Sequence, residues 1–174
     1  MKLFKWLQFT WDLKKVPALQ GALPGHYKIS PAEAQDEMAL RKVFSSSFLL
    51  DPNWNPAIGH AMRTIQSRLD AALSSETAYT CLALRHGQRI IGAVVLHPDE
   101  TVAEQFAIGP SLLVEYRNRG LGAHLFHAAL EWLKDAGLTR ATGICLDYTT
   151  ATRFLYPKFD PAIARVDPAV PLAA

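Results

Sequence analysis

A short run of arginine and glycine residues has the composition of a phosphate-binding turn. It lies between an apolar stretch and an amphipathic one and consists, in order, of Arg117, Asn118, Arg119, Gly120, Leu121 and Gly122. A glycine-rich turn at the start of a helix leaves several backbone N–H groups free, and the helix dipole favours an anion beside them. Glycine at 120 and 122 would let phosphates approach these amides closely, while the two arginines add cationic donors. We therefore predict that a diphosphate binds at this turn.

The elements on either side of the turn fit this use. Leu112, Leu113 and Val114 form an apolar strand end before it, and the residues after it predict a helix from about 121 to 136 that is stopped by Gly137. At 100° per residue, one half of that helix is apolar, and this half consists of Leu121, Leu125, Phe126, Ala129, Leu130, Trp132, Leu133 and Ala136. Such a helix packs on a sheet and leaves its first turn open to a ligand.

The R-x-x-G-x-G pattern from Arg117 to Gly122, with a strand before it and a helix after it, resembles the acyl-CoA-binding motif of the GNAT superfamily of N-acetyltransferases. The resemblance implies an α/β (α+β) fold, in which a mixed and mostly antiparallel sheet is flanked by helices. It implies acetyl-CoA as the cofactor, with its pyrophosphate held by the amides of residues 118–123, Ala123 included. It also implies that the backbone of residues 112–114 binds pantetheine and polarises the thioester carbonyl.

The same resemblance supplies candidates for the two proton transfers of an acetyl transfer. Glu104 lies upstream on the strand, where some relatives place a catalytic glutamate, although a shift in register would put Gln105 there and water can carry the proton instead. Tyr156 resembles a tyrosine near the cofactor sulfur, and a phenol with a pKa of about 10 stays protonated at neutral pH. Tyr148 is a second candidate for this acid. A structural role as a strand carboxylate or a packed ring is the alternative for Glu104 and Tyr156.

The amine acceptor is expected near a loop at residues 51–56, which precedes a helix at about residues 58–73. In GNAT-like proteins this region forms much of the acceptor pocket, so Asp51 and Trp54 are candidate substrate contacts. A capping carboxylate beside a packed aromatic ring would explain the same two residues equally well.

The rest of the chain predicts one more helix and several strands. Ser30 and Pro31 have the residue types of a helix N-cap and a first helical position, so a helix is expected from there to about Phe48. Apolar β-rich runs predict strands at residues 27–29, 78–85, 89–97, 101–114 and 140–146, with a hairpin between the second and third of these. The run at 101–114 is predicted to be broken by a bulge or bend at Gly109 and Pro110. A short helix reaching Tyr156 and one or two edge strands complete the prediction.

Residues 1–25 are predicted to be an N-terminal amphipathic extension and linker, ahead of a GNAT-like acetyltransferase domain at residues 26–174. If the extension is a helix, one of its faces carries Leu3, Phe4, Leu7 and Trp11. Such an arm could bind a membrane surface or a partner. It could also pack on its own domain or on the second subunit of a homodimer.

The composition is that of one globular domain. The 174 residues carry a net charge of +2, which gives no indication of nucleic-acid binding, and no apolar run approaches the ~18 residues of a membrane span. Cys81 and Cys145 lie in apolar runs, which predicts reduced core thiols and a cytoplasmic protein. His124, His127 and Glu131 have metal-like spacing, but they lie on the solvated helix face without a further ligand cluster, so no metal is expected.

Taken together, these features favour an N-acetyltransferase that moves an acetyl group from acetyl-CoA to the amine of a small molecule or peptide, by direct attack in a ternary complex. A non-catalytic acyl-CoA-binding sensor or interaction module with the same fold is the alternative. A dinucleotide-binding fold is disfavoured because Leu125 replaces the third glycine of that motif and antiparallel strands precede it.

Overall fold

The structure, a computed structural model, describes residues 5–74 and 76–166. Its strands are β1 (Trp6–Asp12), β2 (Tyr27–Pro31), β3 (Thr80–His86), β4 (Arg89–Leu96), β5 (Ser111–Leu112), β6 (Arg140–Leu146) and β7 (Ala162–Val166). Its helices are α1 (Glu37–Leu49), α2 (Ile58–Leu73) and α3 (Leu121–Asp135). The strands form two antiparallel sheets that the helices flank, which confirms the predicted fold class.

The two sheets have the strand orders β2-β3-β4-β5 and β6-β1-β7. They meet where the amides of Gln105 and Phe106 both donate to the carbonyl of Thr142, at N···O distances of 2.9 and 3.2 Å. Beyond Phe106 the chain diverges from β6, which pairs along its whole length with β1. A cleft opens between the sheets where the backbones separate.

The strand predicted over residues 101–114 is wrong for most of its length. Phe106 makes one isolated bridge to Leu96, and only Ser111 and Leu112 pair with β4. The predicted break at Gly109 and Pro110 lies between these two pairings. The residues of this run are nevertheless buried from Gln105 to Gly109, because they pass through the interior between the two sheets.

Residues 6–12 form the central strand of the second sheet and not the amphipathic helix that was one possibility for the N-terminal extension. Phe9, Trp11 and Leu13 alternate along the chain and are at most 1% exposed, which is the two-residue period of a strand. β1 pairs with β6 on one side and with β7 on the other. The segment therefore packs on its own domain, which was one of the alternatives; Leu3 and Phe4 lie outside the described residues.

Helix α1 begins later than Ser30 and Pro31 predict. Pro31 is the last residue of β2, where it lies opposite Leu82 of β3. A 3₁₀ turn at Ala34–Asp36 precedes the helix, and in its capping box the Asp36 carboxylate accepts a hydrogen bond from the Glu33 amide at 2.9 Å. An edge strand such as β2 tolerates proline because the backbone N–H that proline lacks is not needed for pairing there.

Helix α3 packs as its periodicity predicts. Its apolar face is buried at Leu121, Leu125, Phe126, Ala129, Leu130 and Leu133. Trp132 and Ala136 were assigned to the same face but are exposed, Trp132 by 36%. Phe126 joins Phe9, Trp11, Phe106 and Tyr156 in an aromatic cluster, with ring centroids 5.0–6.0 Å apart.

Cys81 and Cys145 are both buried free thiols, as the sequence predicts. Within the described ranges, none of the helices is long and apolar enough to cross a membrane.

Candidate active site

The turn before α3 presents a set of unused backbone donors. Asn118 and Gly120 have positive φ angles of 60° and 77°, which reverse the chain and aim successive N–H groups to one side. The amides of residues 118–122 have no acceptor within the part of the chain that the structure describes, whereas Ala123 and His124 already donate to the Gly120 carbonyl. Free amides at a helix N-terminus form an anion-binding site.

The two glycines of the turn are needed for different reasons. At Gly120 the left-handed φ disfavours any side chain, while a Cβ there would meet no atom within 4 Å. At Gly122 a Cβ would lie 3.1 Å from Cδ1 of Leu112, because the first turn of α3 rests directly on β5. Gly120 thus shapes the anion site, and Gly122 lets the helix approach the strand.

The two arginines of the motif do not share one role. The Arg117 guanidinium is turned back into the protein: Nε donates to the Leu112 carbonyl and Nη2 donates to the carbonyl and hydroxyl of Ser47, all at 3.2 Å. Arg119 is exposed and lies over the Tyr116 ring, 5.7 Å from its centroid. Arg117 therefore holds the turn to α1, and only Arg119 keeps its guanidinium available to an anion outside the protein.

One cleft joins the turn to the predicted acceptor loop. Of the predicted site residues, its walls contain Asp51, Trp54, Leu112, Arg117, Asn118, Gly120, Gly122 and Ala123. The other predicted cofactor contacts lie outside it: Leu113 and Leu121 are buried in the core, and Val114 and Arg119 are exposed. The cleft holds about 180 Å³, less than the roughly 300–1,000 Å³ of a pocket that encloses a whole ligand. It therefore accommodates a slender part of a ligand whose remainder lies outside.

The floor of the cleft is the gap between the diverging sheets. Residues 108–112 line one side of the gap, and Cys145 lines the other. The Cys145 thiol lies 3.3 Å from the Thr149 hydroxyl, and burial raises its pKa to about 12. A thiol with this pKa stays protonated at neutral pH and is a poor nucleophile.

Asp51 and Trp54 are both buried in the wall of the cleft. Asp51 caps a short 3₁₀ turn at Pro52–Trp54 through its Oδ1, which accepts from the Asn53 amide at 3.1 Å. The Trp54 ring packs edge-on against Phe48, with centroids 5.2 Å apart. The structural roles foreseen for these residues are present, and both residues also face the cleft.

Glu104 lies outside the cleft, in a partly buried ion pair. Its carboxylate is 3.6 Å from the Arg68 guanidinium, with the two side chains 9% and 15% exposed. Burial raises the pKa of Glu104 above its ordinary value, and the nearby positive charge of Arg68 offsets only part of this rise. Gln105 is occupied elsewhere, because its side chain bonds the carbonyls of Asp99 and Val102 and the Thr142 amide.

Tyr156 is part of the core and does not line the cleft. Its side chain belongs to the aromatic cluster, and its hydroxyl donates to the carbonyl of Gly109. Burial raises the pKa of this phenol well above its ordinary value. Tyr148 is 39% exposed and also lies outside the cleft walls. The geometry favours the packing role for Tyr156.

Several cleft residues were not predicted from the sequence, and Ser47, Phe154 and Lys158 are among them. Ser47 receives the Arg117 guanidinium, and Phe154 and Lys158 stand at the cleft wall on the segment after β6. No local motif marks them, because they come from elements distant in the chain from the glycine turn. Within the described ranges, no group of three or more His, Cys, Asp or Glu side chains could hold a metal ion.

Comparison with known proteins gives the family. The model of the acetyltransferase (GNAT) family matches residues 40–160. A conserved protein of unknown function from Staphylococcus epidermidis has a similar structure, with a TM-score of 0.62, 12% identity, and coverage of 94% of this chain and 59% of that one. A GCN5-related N-acetyltransferase from Kribbella flavida gives a TM-score of 0.59, 12% identity, and coverage of 94% and 55%. This chain thus spans less than two thirds of the length of either protein.

A third similar structure is a GCN5-related glucosamine N-acetyltransferase region of a fungal multi-domain β-N-acetylglucosaminidase, with a TM-score of 0.59, 14% identity, and coverage of 93% of this chain and 20% of that one. No match is found among curated protein sequences. At these identities the structures support the fold, while the family match covers most of the chain and includes the turn, the cleft and α3. The chain belongs to the GNAT family of acetyltransferases.

Proposed function

We propose that the protein is an N-acetyltransferase that moves an acetyl group from acetyl-CoA to a primary amine. The observation that carries this proposal is the row of free amides at residues 118–122, at a cleft whose walls also contain Asp51 and Trp54. The amides suit an anionic cofactor, and the Asp51 carboxylate suits an amine. The family match supports the same reaction class.

Each part of the cleft has a role in this proposal. Acetyl-CoA, when bound, supplies a thioester. The amides of residues 118–122 bind its diphosphate, and the gap between the sheets takes the pantetheine arm. The backbone near Leu112 orients the thioester carbonyl. The amine attacks directly in a ternary complex, because the buried Cys145 thiol is not suited to carry an acetyl group.

The proton transfers need no single residue in the cleft. Glu104 stays our candidate for receiving the amine proton, and because it lies outside the cleft walls the proton would have to reach it through water. We assign Tyr156 a supporting role, because its hydroxyl fixes the Gly109 carbonyl in the cleft floor. Water at the open mouth can then protonate the departing thiolate. The reduced thiols Cys81 and Cys145 favour a cytoplasmic location.

The binding experiment uses two glycine variants that introduce the same strain and charge at opposite ends of α3. Gly120 and Gly137 both have positive φ angles, 77° and 96°, and a Cβ added at either would meet no atom within 4 Å. The two residues are separated by about 22 Å of helix at 1.5 Å per residue. Gly120→Glu should weaken acetyl-CoA binding at least about tenfold, because its carboxylate enters the anion site. Gly137→Glu should leave binding unchanged. Isothermal titration calorimetry measures both.

Turnover is measured separately, as thiol released from acetyl-CoA with a panel of amines. Release with an amine supports transfer. Binding of acetyl-CoA without release by any amine would instead support a non-catalytic acyl-CoA sensor. Equal affinity of Gly120→Glu and wild type would remove the anion site from the proposal.

A further inference from the structure

Asp51 is a buried carboxylate without a cationic partner. The residue is 7% exposed and lies in the cleft wall. Among the described residues, no lysine, arginine or histidine nitrogen lies within 4 Å of its oxygens. The cleft's own arginine, Arg117, is committed to Ser47 and the Leu112 carbonyl. A buried carboxylate is normally paired with a cation, and Asp51 has none among the described residues.

The cap of the 3₁₀ turn uses only one of the two carboxylate oxygens of Asp51. Oδ1 accepts both hydrogen bonds from Asn53, from the amide at 3.1 Å and from the side chain at 2.8 Å. Oδ2 accepts no hydrogen bond from residues 5–74 and 76–166. It is nevertheless accessible to solvent. One oxygen of Asp51 is thus fixed by the turn, and the other is left for whatever enters the cleft.

The surroundings of this oxygen are apolar and aromatic. Phe48 and Trp54 pack edge-on beside Asp51 in the same wall, with ring centroids 5.2 Å apart. Phe154, which also lines the cleft, is 60% exposed and offers a third ring. A ligand at this oxygen meets a carboxylate with no cation of the described residues within 4 Å and the exposed ring of Phe154, while Lys158 supplies a cation elsewhere in the cleft wall. The carboxylate and the ring suit an ammonium group on an apolar body.

We propose that Asp51 binds the ammonium of the acceptor, and that the acceptor is an apolar primary amine without a carboxylate next to the amine. This rests on the N-acetyltransferase function proposed above and names the substrate class of that site. An α-amino acid is excluded because its own carboxylate would approach Asp51, and like charges in a partly buried site repel. The apolar body of the amine packs against the exposed ring of Phe154 in the same cleft.

The test measures binding and does not depend on turnover. Phenethylamine and phenylalanine differ by one carboxylate, and each is titrated by calorimetry into the protein saturated with coenzyme A. Wild type should bind phenethylamine at least about 30-fold more tightly than phenylalanine. Asp51→Asn should weaken phenethylamine binding by about 30-fold or more, the lower end for removing one partner of a buried charge pair, and should abolish the preference between the two ligands.

Two controls separate charge from structure. Asparagine caps a helical turn as well as aspartate does, so Asp51→Asn keeps the Asn53 hydrogen bond while it removes the charge. Asp70→Asn removes an equal charge from α2, where Asp70 is exposed and pairs with Arg41. Asp70→Asn should leave both affinities unchanged.

Each result decides the inference. It is overturned if wild type binds phenylalanine as tightly as phenethylamine, if neither ligand binds the coenzyme A complex, or if Asp51→Asn keeps the wild-type preference. Should Asp51→Asn fail to fold, the preference of wild type between the two ligands decides alone. Failure of the protein to bind coenzyme A at all is a separate result, which contradicts the proposed function itself.

Discussion

Replacing Arg117 by methionine should destabilise the protein more than removing any other cation of the glycine turn. Its guanidinium joins the turn to β5 and to α1. It donates to the Leu112 carbonyl of β5 and to both the carbonyl and the hydroxyl of Ser47 on α1. Ser47 is 8% exposed, so its groups have limited access to replacement water. Methionine keeps much of the apolar stem and removes only the donors.

The size of the effect follows from these three hydrogen bonds. All are 3.2 Å long, beyond the roughly 2.7–2.9 Å of strong charge-assisted bonds, so each is given the neutral value of about 1 kcal/mol. Partial hydration of the freed groups at the cleft reduces the total, and we expect a loss of about 2 kcal/mol in the free energy of unfolding. At about 2–4 °C per kcal/mol for a protein of this size, the melting temperature should fall by about 4–8 °C.

The matched control is Arg119→Met, two residues away in the same turn. Arg119 is exposed and contacts the Tyr116 ring only as a cation over an aromatic face, so its loss should cost less than about 1 kcal/mol. Ser47→Ala should lose about 1 kcal/mol, and the double variant with Arg117→Met should lose less than the sum of the two, because they share a bond. The measurement is urea and thermal unfolding of each variant. Equal melting temperatures for the two arginine variants would refute the assignment of Arg117 as a tether.

Three further results are expected. Burial raises the pKa of Glu104 in the folded state. The stability that its protonated form contributes is therefore present at low pH and is lost as the pH rises through that pKa. The free energy of unfolding of wild type, relative to that of Glu104→Gln, should fall from about pH 4 to pH 7. Tyr156→Phe should cost about 1–2 kcal/mol in urea unfolding while acetyl transfer continues, because it leaves a buried carbonyl unpaired; lost turnover at full stability would restore the acid role. Cys81 and Cys145, whose pKa values burial raises to about 12, should resist a thiol reagent in the folded protein and react on unfolding, and fast labelling of the native state would contradict their burial.

The parts of the molecule that could be predicted are those encoded by local patterns. Helix α3 has a continuous apolar face and a glycine at each end, so its bounds, Leu121–Asp135, agree with the predicted span to about a residue. The hairpin of β3 and β4 was equally visible, because two apolar runs flank a turn at Gly87. Both elements are specified by residues within one or two turns of chain.

Strand β1 could not be recognised from its own residues. Leu7 and Trp11 are four apart and fit a helix face, while Phe9 and Trp11 are two apart and fit a strand face, so the sequence supports both periods. The strand forms because β6 and β7 provide backbone partners on both sides, and those partners come from the far end of the chain. Long-range pairing of this kind overrides local propensity.

The candidate site shows the same limit. The motif identified the residue types of the turn, but not the direction of each side chain, and Arg117 turns inward because Ser47 offers two acceptors on α1. Tyr156 has the residue type of a catalytic acid, yet its neighbours in space, Phe9 and Phe126, make it a core residue. These directions depend on contacts between elements that are distant in sequence.

The central position of β1 affects how the protein can fold as it is made. The ribosome releases this strand well before its partners, and its two hydrogen-bonding edges are completed only by residues 140–166. Until then the aromatic side chains of Phe9 and Trp11 have no sheet to hold them, and they are exposed to chaperones or to other nascent chains. The second sheet therefore closes only after residues 140–166 have been made, and its closure requires two distant chain segments to join, which is slow compared with local pairing.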